Sequence, residues 1–254
     1  MSKKQRKRLD DLLIGRGLFP DREAALRAVI AGEVLVDDVV AASAAAKVAH
    51  DASVRVRTRG DGRFVSRGGR KLQAALDGFG LSAAGLRCCD VGSSTGGFTD
   101  CLLQNGAAHV ACVDVNYGQL AWKVRSDPRV TVFERTNVKE ADPAALGAPF
   151  DAVVIDVSFI GLAQLAPVLA RLCRPGSLLV ALVKPQFESQ RGETEGGVVR
   201  DEAVRLRTVE EVAAALEASG FRVLDTMRSP VVGPAGNVEY LLHAACDKRG
   251  GQRP

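Results

Sequence analysis

The stretch DVGSSTGGFT, Asp90 to Thr99, decides the fold. It follows a short apolar run, Leu86 to Val91, and opens a helical pattern from Gly97 to Gln104, so a strand leaves through three glycines into a helix. Glycines there let backbone approach a ligand at the carboxyl end of the strand. The spacing is G-x-x-x-G-G, not the G-x-G-x-x-G of a dinucleotide cradle, and no G-K-[ST] follows for a phosphate-binding loop. NAD and ATP are therefore disfavoured. Asp114 closes the next apolar run, 22 residues after Gly92, where an acid can accept both hydroxyls of a ribose. Asp90, the loop Gly92, Ser93, Ser94, Thr95, Gly96, Gly97, Phe98 and Thr99, and Asp114 together fit S-adenosylmethionine. The plainer reading of such a turn is close strand-to-helix packing.

Outward from that loop, from Lys71 onward, short apolar runs alternate with helical patterns, the signature of a parallel sheet with crossover helices. Strands are expected near Leu86–Val91, His109–Val115, Val130–Phe133, Ala152–Val157, Leu178–Val183, Phe221–Leu224 and Val238–Ala244. Helices fit near Leu72–Phe79, Gly97–Gln104, Gln119–Val124, Leu162–Leu172 and Glu202–Ala218. The fold class is α/β with a seven-stranded sheet. Its fourth strand ends in Asp156, at the edge where open sheets bind their ligands. Its fifth ends in Lys184, and a lysine straight after four apolar residues must find an acidic partner or be kept neutral by its surroundings. The alternative is a lysine that snorkels to water. Glu239, in GNVEYLLHA, faces opposite to Val238 and Tyr240 and enters the sheet beside the Lys184 strand.

The 254 residues carry a net charge of +4, unevenly spread. Residues 1–71 hold 16 Lys and Arg against 9 Asp and Glu, a balance of +7, and the remainder holds 18 against 21, a balance of −3. Basic residues concentrated in a small module suit a phosphate-bearing partner, each neutralised phosphate releasing counterions; a solvated basic face is the other reading. Within the module Leu9, Leu12 and Leu13 read as one short helix, and Ala24, Ala25, Ala28 and Val29 as a second after Pro20 and Asp21. Val34–Val36 and Val54–Val56 follow as strands, with an Asp37–Asp38 turn that carries no glycine. Residues 58–70, rich in Gly and Arg, read as a basic linker.

No run approaches the ~18 uncharged apolar residues of a membrane helix. Nor does an apolar block follow Lys3, Lys4, Arg6, Lys7 and Arg8 as in a secretion signal. The six cysteines form no C-x-x-C pair, and the three histidines no H-E-x-x-H. No metal is expected, and buried free thiols fit a reducing, cytoplasmic compartment.

The order of two basic short helices and a small sheet with GEVLVDD, over about residues 8–57, resembles the S4-type RNA-binding domain, which docks structured RNA mainly through its backbone. With FVSRGGRKL, DVGSSTGGFT, DVNYGQLAW, ERTNV, DVSFI, LVKPQFE, GGVVRD and GNVEYLL, nearly the whole chain resembles the hemolysin A (TlyA) family. Ser93 stands where many relatives carry Ala. The resemblance implies a Rossmann-like, FtsJ-type methyltransferase domain over 71–247 with a tail over 248–254. It implies S-adenosylmethionine as cofactor and methylation of cytidine 2′-hydroxyls in ribosomal RNA or ribosomal subunits, with no membrane as partner. The family's Lys-Asp-Lys-Glu set matches Lys71, Asp156, Lys184 and Glu239, and ERTNV adds Asn137 to the cofactor residues. On that reading Lys184, beside Lys71, is the base or the electrostatic guide of the acceptor hydroxyl, and Asp156 and Glu239 orient the amines. Arg8, Arg16, Arg22, Arg27, Arg63 and Arg67 are the RNA-binding candidates. A non-catalytic RNA-binding assembly factor and a pore-forming lysin are the rivals; the complete four-residue set argues against the first, the lack of an amphipathic membrane segment against the second. The oligomeric state is left open.

Overall fold

The structure is a computed structural model and describes residues 6–19, 21–30, 32, 34–37, 39–56, 62–233 and 236–247. The chain divides into two compact units, Met1–Asp61 and Gly62–Pro254.

The first unit runs β1 (Arg6–Arg8), α1 (Leu9–Gly15), α2 (Arg22–Ile30), β2 (Val34–Val36), β3 (Val39–Val40), β4 (Lys47–Ala49) and β5 (Val54–Val56). Strands β3-β2-β5 form one antiparallel sheet and β1-β4 a second pair. Leu9 and Leu13 of α1 meet Ala25, Ala28 and Val29 of α2 over Val34, because their spacing of three and four residues puts them on one helical stripe. The turn after β2 works without glycine: Asp37 takes φ +49°, which a short polar side chain tolerates, and its Oδ1 accepts the Ser53 N–H at 2.9 Å.

The second unit contains α3 (Gly68–Gly78), β6 (Arg87–Val91), α4 (Gly97–Gln104), β7 (His109–Val113), α5 (Trp122–Arg125), β8 (Val130–Phe133), β9 (Phe150–Ile155), a 3₁₀ turn (Leu162–Leu165), α6 (Ala166–Leu172), β10 (Cys173–Val183), α7 (Pro185–Glu188), α8 (Glu202–Ala218), β11 (Phe221–Arg228) and β12 (Tyr240–Cys246). Its seven-stranded sheet has the order β11-β12-β10-β9-β6-β7-β8. The five strands β6 to β10 are parallel, and β12 runs antiparallel to both β10 and β11. Successive residues of β10 bury against opposite layers: Leu179, Ala181 and Val183 join Phe150, Leu169 and Leu216, while Val180 and Leu182 join Leu72, Leu102 and Leu241. A sheet covered on both faces needs such continuous apolar strands.

The expected linker is corrected here. Residues 58–61 lie outside the described residues, but 62–70 belong to the second unit. Phe64 is buried among Leu72, Phe98 and Leu102, the Val65 N–H donates to Asp100 Oδ2 at 2.8 Å, and α3 begins at Gly68, four residues before the expected Leu72. One apolar side chain among the arginines anchors the segment. The Leu162–Leu172 helix opens as a 3₁₀ turn before the α-helix that carries Pro167 in its first turn. Strand β10 starts five residues earlier than Leu178 and is irregular between Cys173 and Leu178. Among the described residues no helix is long and apolar enough to cross a membrane, and no His, Cys, Asp and Glu cluster could hold a metal.

Candidate active site

The chain leaves β6 toward β7 and β8 on one side and returns through β9 on the other, so the topological switch point lies between β6 and β9, where open sheets bind ligands. Gly92 and Asp156 follow the carboxyl ends of these two strands. The Asp156 N–H donates to Val91 O at 3.0 Å, and a Cβ on Gly92, at φ +82°, would fall 2.6 Å from Asp156 O. Only glycine fits that crossing.

Asp114, just past β7, shapes the loop as well as presenting a carboxylate. Its Oδ2 accepts the Ser94 N–H at 2.7 Å, with Ser94 at φ +47°, and its Oδ1 accepts the Asn116 N–H at 2.7 Å. Asn137 lies across from it, its amide donating to Glu140 Oε1 at 2.8 Å and its Oδ1 accepting the Lys139 N–H at 3.1 Å.

Two cavities flank the switch point. One, of about 680 Å³, is lined by Gly92, Ser94, Asp114 and Asn137 with apolar Val113, Val138 and Leu165. The other, of about 520 Å³, is lined by Gly92, Ser93, Ser94, Thr95, Gly97 and Phe98, and by all of Lys71, Asp156, Lys184 and Glu239. Gly92, Ser94, Asp156, Ser158 and Phe159 line both.

Asp90, Gly96 and Thr99 are on neither wall, against the expectation that the whole stretch lines the cofactor site. They brace the loop from behind. Gly96 caps α4 at φ +90° with no room for a Cβ beside Leu120. Asp90 is fully buried and accepts the Thr99 hydroxyl at 2.6 Å on Oδ2, while Oδ1 has no partner. Burial pushes its carboxyl up to about 7, opposed by the Thr99 hydrogen bond and reinforced by the negative charge of Asp156 and Asp114.

The four-residue set is two lysine–carboxylate pairs. Lys71, on the first turns of α3, donates to Glu239 Oε2 at 2.5 Å, both side chains being buried. Lys184, directly after β10, pairs with Asp156 Oδ1 at 2.5 Å and donates from Nζ to Ser158 Oγ at 3.0 Å. The acidic partner that Lys184 needed is thus Asp156.

Sequence reasoning missed several residues in and around the second cavity. Ser158 is one. Asn237 is another: its buried amide donates to Gly197 O at 3.0 Å and accepts the Val199 N–H at 3.3 Å, fastening the Gly196–Gly197 rim to the segment before Glu239. Gly233 leaves room for Glu239, since a Cβ there would lie 2.3 Å from Oε1. The motifs GGVVRD and GNVEYLL contain Gly196, Gly197 and Asn237, but nothing in their spacing says that the two loops touch.

The arginine candidates divide. Arg8 grips Asp10 through Nε and Nη2 at 3.0 and 2.6 Å, which holds the Asp10 carboxyl below its usual range. Arg22 pairs with Asp11, and Arg16 donates to Ala52 O at 2.9 Å and His50 O at 2.7 Å. Arg63 reaches Gln73 Oε1 at 3.0 Å and lies over the Phe64 ring. The side chain of Arg27 lies outside the described residues. Among those described, Arg67 is the one that lines the cavity of Lys71, Asp156, Lys184 and Glu239.

Comparison with known proteins agrees with this geometry. Residues 64–246 match the profile of the FtsJ-like methyltransferases. The chain is 45% identical over 239 residues to the 16S/23S rRNA (cytidine-2′-O)-methyltransferase TlyA of Mycobacterium tuberculosis, covering 94% of this chain and 89% of the relative. It is 36% identical to Hemolysin A of Brachyspira hyodysenteriae, covering 93% and 98%. A solved structure from Streptococcus thermophilus, described only provisionally as a hemolysin, superposes with a TM-score of 0.74 at 38% identity, over 97% of this chain and 90% of that one.

Proposed function

The chain belongs to the hemolysin A (TlyA) family of FtsJ-like methyltransferases, and from that premise we propose that it transfers the methyl group of S-adenosylmethionine to the 2′-hydroxyl of a cytidine ribose in ribosomal RNA, 16S, 23S or both. The observation that carries this reading is that Lys71, Asp156, Lys184 and Glu239 line one cavity, which shares Gly92, Ser94 and Asp156 with a second cavity beside Asp114.

The residues of the larger cavity fit the cofactor. About 680 Å³ is within the range of roughly 300–1,000 Å³ for small-ligand sites. Val113, Val138 and Leu165 suit a purine, Asp114 the ribose hydroxyls, and the backbone from Gly92 to Ser94 the amino-acid end. When bound, S-adenosylmethionine supplies a methyl group activated by the sulfonium. Lys184 acts as the electrostatic guide: an ammonium beside Asp156 attracts the acceptor oxygen and steadies it as charge develops there. The Asp156 carboxylate, which lines both cavities, takes up the hydroxyl proton. Positioning of the acceptor against the methyl supplies much of the rate.

The S4-type reading of residues 8–57 gives this enzyme its grip on RNA, in a cytoplasmic setting where ribosomal subunits are the partners. Incubation of the full chain with methyl-labelled S-adenosylmethionine and isolated ribosomal subunits tests the proposal. Label in a ribose-methylated cytidine is the expected result. Tight RNA binding without transfer of label would instead make the protein an assembly factor.

A further inference from the structure

We propose that Ser158 is a positioning residue for Lys184, aiming its ammonium at the point where the two cavities meet; this deepens the methyl-transfer reading above and rests on it. Lys184 follows a run of buried β10 residues and is itself 8% exposed, so few groups can orient its amine. The ion pair with Asp156 is one contact of three that an ammonium can make. Asp156 Oδ1, 2.5 Å away, supplies the countercharge on one side of the amine, and a second, separately placed acceptor is needed to fix where the remaining N–H groups point. Direction comes from Ser158 Oγ, which accepts from Lys184 Nζ at 3.0 Å.

The placement of that hydroxyl is itself built. Ser158 lines both cavities. Phe159 next to it stands at φ +67°, a region that bulky side chains rarely occupy unless surrounding structure imposes it. The surrounding structure is visible. Glu188, at the end of α7, accepts the Leu162 N–H at 2.5 Å, and its Oε2 lies so close to Gly161 that a Cβ there would fall 3.0 Å away. Residues 157–161 are thus held between the end of β9 and α7, the short helix that directly follows Lys184. Ser158 sits on this held segment with its hydroxyl on the amine.

The role predicts a kinetic and a spectroscopic signature. In the full chain, Ser158→Ala should lower kcat for methyl transfer about tenfold to hundredfold, the scale of one lost hydrogen bond to a charged group, with KM for RNA and Kd for S-adenosylmethionine unchanged. Ser158→Thr, which keeps the hydroxyl, should recover most of that loss. Independently of activity, nitrogen-15 lysine NMR should show the Lys184 ammonium resonance in the unsubstituted protein and its broadening in Ser158→Ala, as the amine gains freedom and exchanges faster with water. An unchanged resonance, an unchanged kcat, an equal loss in the Thr variant, or a loss expressed as weaker cofactor binding would each overturn the assignment. Inactivity of the unsubstituted protein would defeat the methyl-transfer reading by itself, and the resonance comparison would still decide whether Ser158 holds Lys184.

Discussion

The two lysine–carboxylate pairs of the catalytic cavity share a length and differ in everything else. Lys184 and Asp156 directly follow adjacent parallel strands, and their side chains are 10% and 22% exposed. Lys71, in a helix, and Glu239, just before an antiparallel strand, lie 168 residues apart, and their side chains are 6% and 0% exposed. The first pair has Asp156 where the two cavities meet; the second closes its hydrogen bond in a dry setting. Identical chemistry is therefore divided by solvent access. The wetter pair can work on a substrate, while the drier pair ties α3 to the sheet and fixes the far wall of the site.

Stability gives the largest test of that division. Lys71→Met leaves Glu239 buried without its cation, and breaking such a pair costs about 3–5 kcal/mol, read as a lower midpoint in urea unfolding. Asp156→Asn should cost clearly less, since the Lys184 ammonium keeps Ser158. Equal losses in the two variants would erase the distinction. A second effect reports on the charge of the wetter pair. Asp90 feels Asp156, and burial holds its carboxyl near 7 in the fold against 3.8 for the ordinary group, a difference worth up to about 4 kcal/mol. The native state thus keeps this proton to higher pH than the unfolded chain. Stability from this group is full below about pH 4, falls as pH rises, and is gone above about 7. Asp90→Asn carries no such loss, so its stability relative to the unsubstituted protein should climb between pH 4 and pH 8. A flat difference across that window would show that Asp90 ionises normally.

How much of this was legible follows from the same comparison. Asp156 and Lys184 could be picked out because each ends an apolar run, and a parallel sheet aligns such ends at one edge. Glu239 was read as a residue of the last strand, Val238–Ala244, but β12 begins at Tyr240 and Glu239 stands just before it, so the alternation did not place it. Lys71 had no such signal. It stands in a Gly- and Arg-rich stretch whose composition says linker, and only the resemblance placed it in the site; the contacts of Phe64 and Val65 that fold the segment onto α4 are tertiary. Ser158 was invisible for a related reason: a serine after a strand reads as a turn residue, and its meaning depends on a contact with Lys184 that no pattern encodes. The reading of Asp90 as a cofactor ligand failed because pleating alternates side chains, and Asp90 turns into the layer behind the loop where Thr99 meets it.

Turnover gives the next effect in size. Lys184→Ala should lower methyl transfer by about 10²-fold or more while the affinity for S-adenosylmethionine stays near its original value, because Asp114 and the Gly92 loop are untouched. Measurement at saturating RNA separates the two quantities. A variant with near-normal turnover would move Lys184 into the company of Lys71, as a strut.

The smallest effect belongs to the third cation of that cavity, which has no carboxylate at all. Arg67 is exposed at the start of α3, and its guanidinium has no partner among the described residues, unlike Arg8, Arg16 and Arg22. A cation that is already paired must exchange one partner for another to meet a phosphate, whereas an unpaired one only sheds counterions. Removal of Arg67 should therefore act on RNA binding alone. Arg67→Ala is expected to flatten the dependence of log Kd on log salt by roughly one unit, to weaken many RNAs alike, and to leave stability and cofactor affinity unchanged. Arg16→Ala is the contrasting variant. Its side chain closes on two backbone carbonyls, so its loss should lower the unfolding midpoint as well as any RNA affinity. If Arg67→Ala leaves the salt slope where it was, the free cation at the cavity mouth meets no phosphate, and RNA contact on this unit must be sought elsewhere.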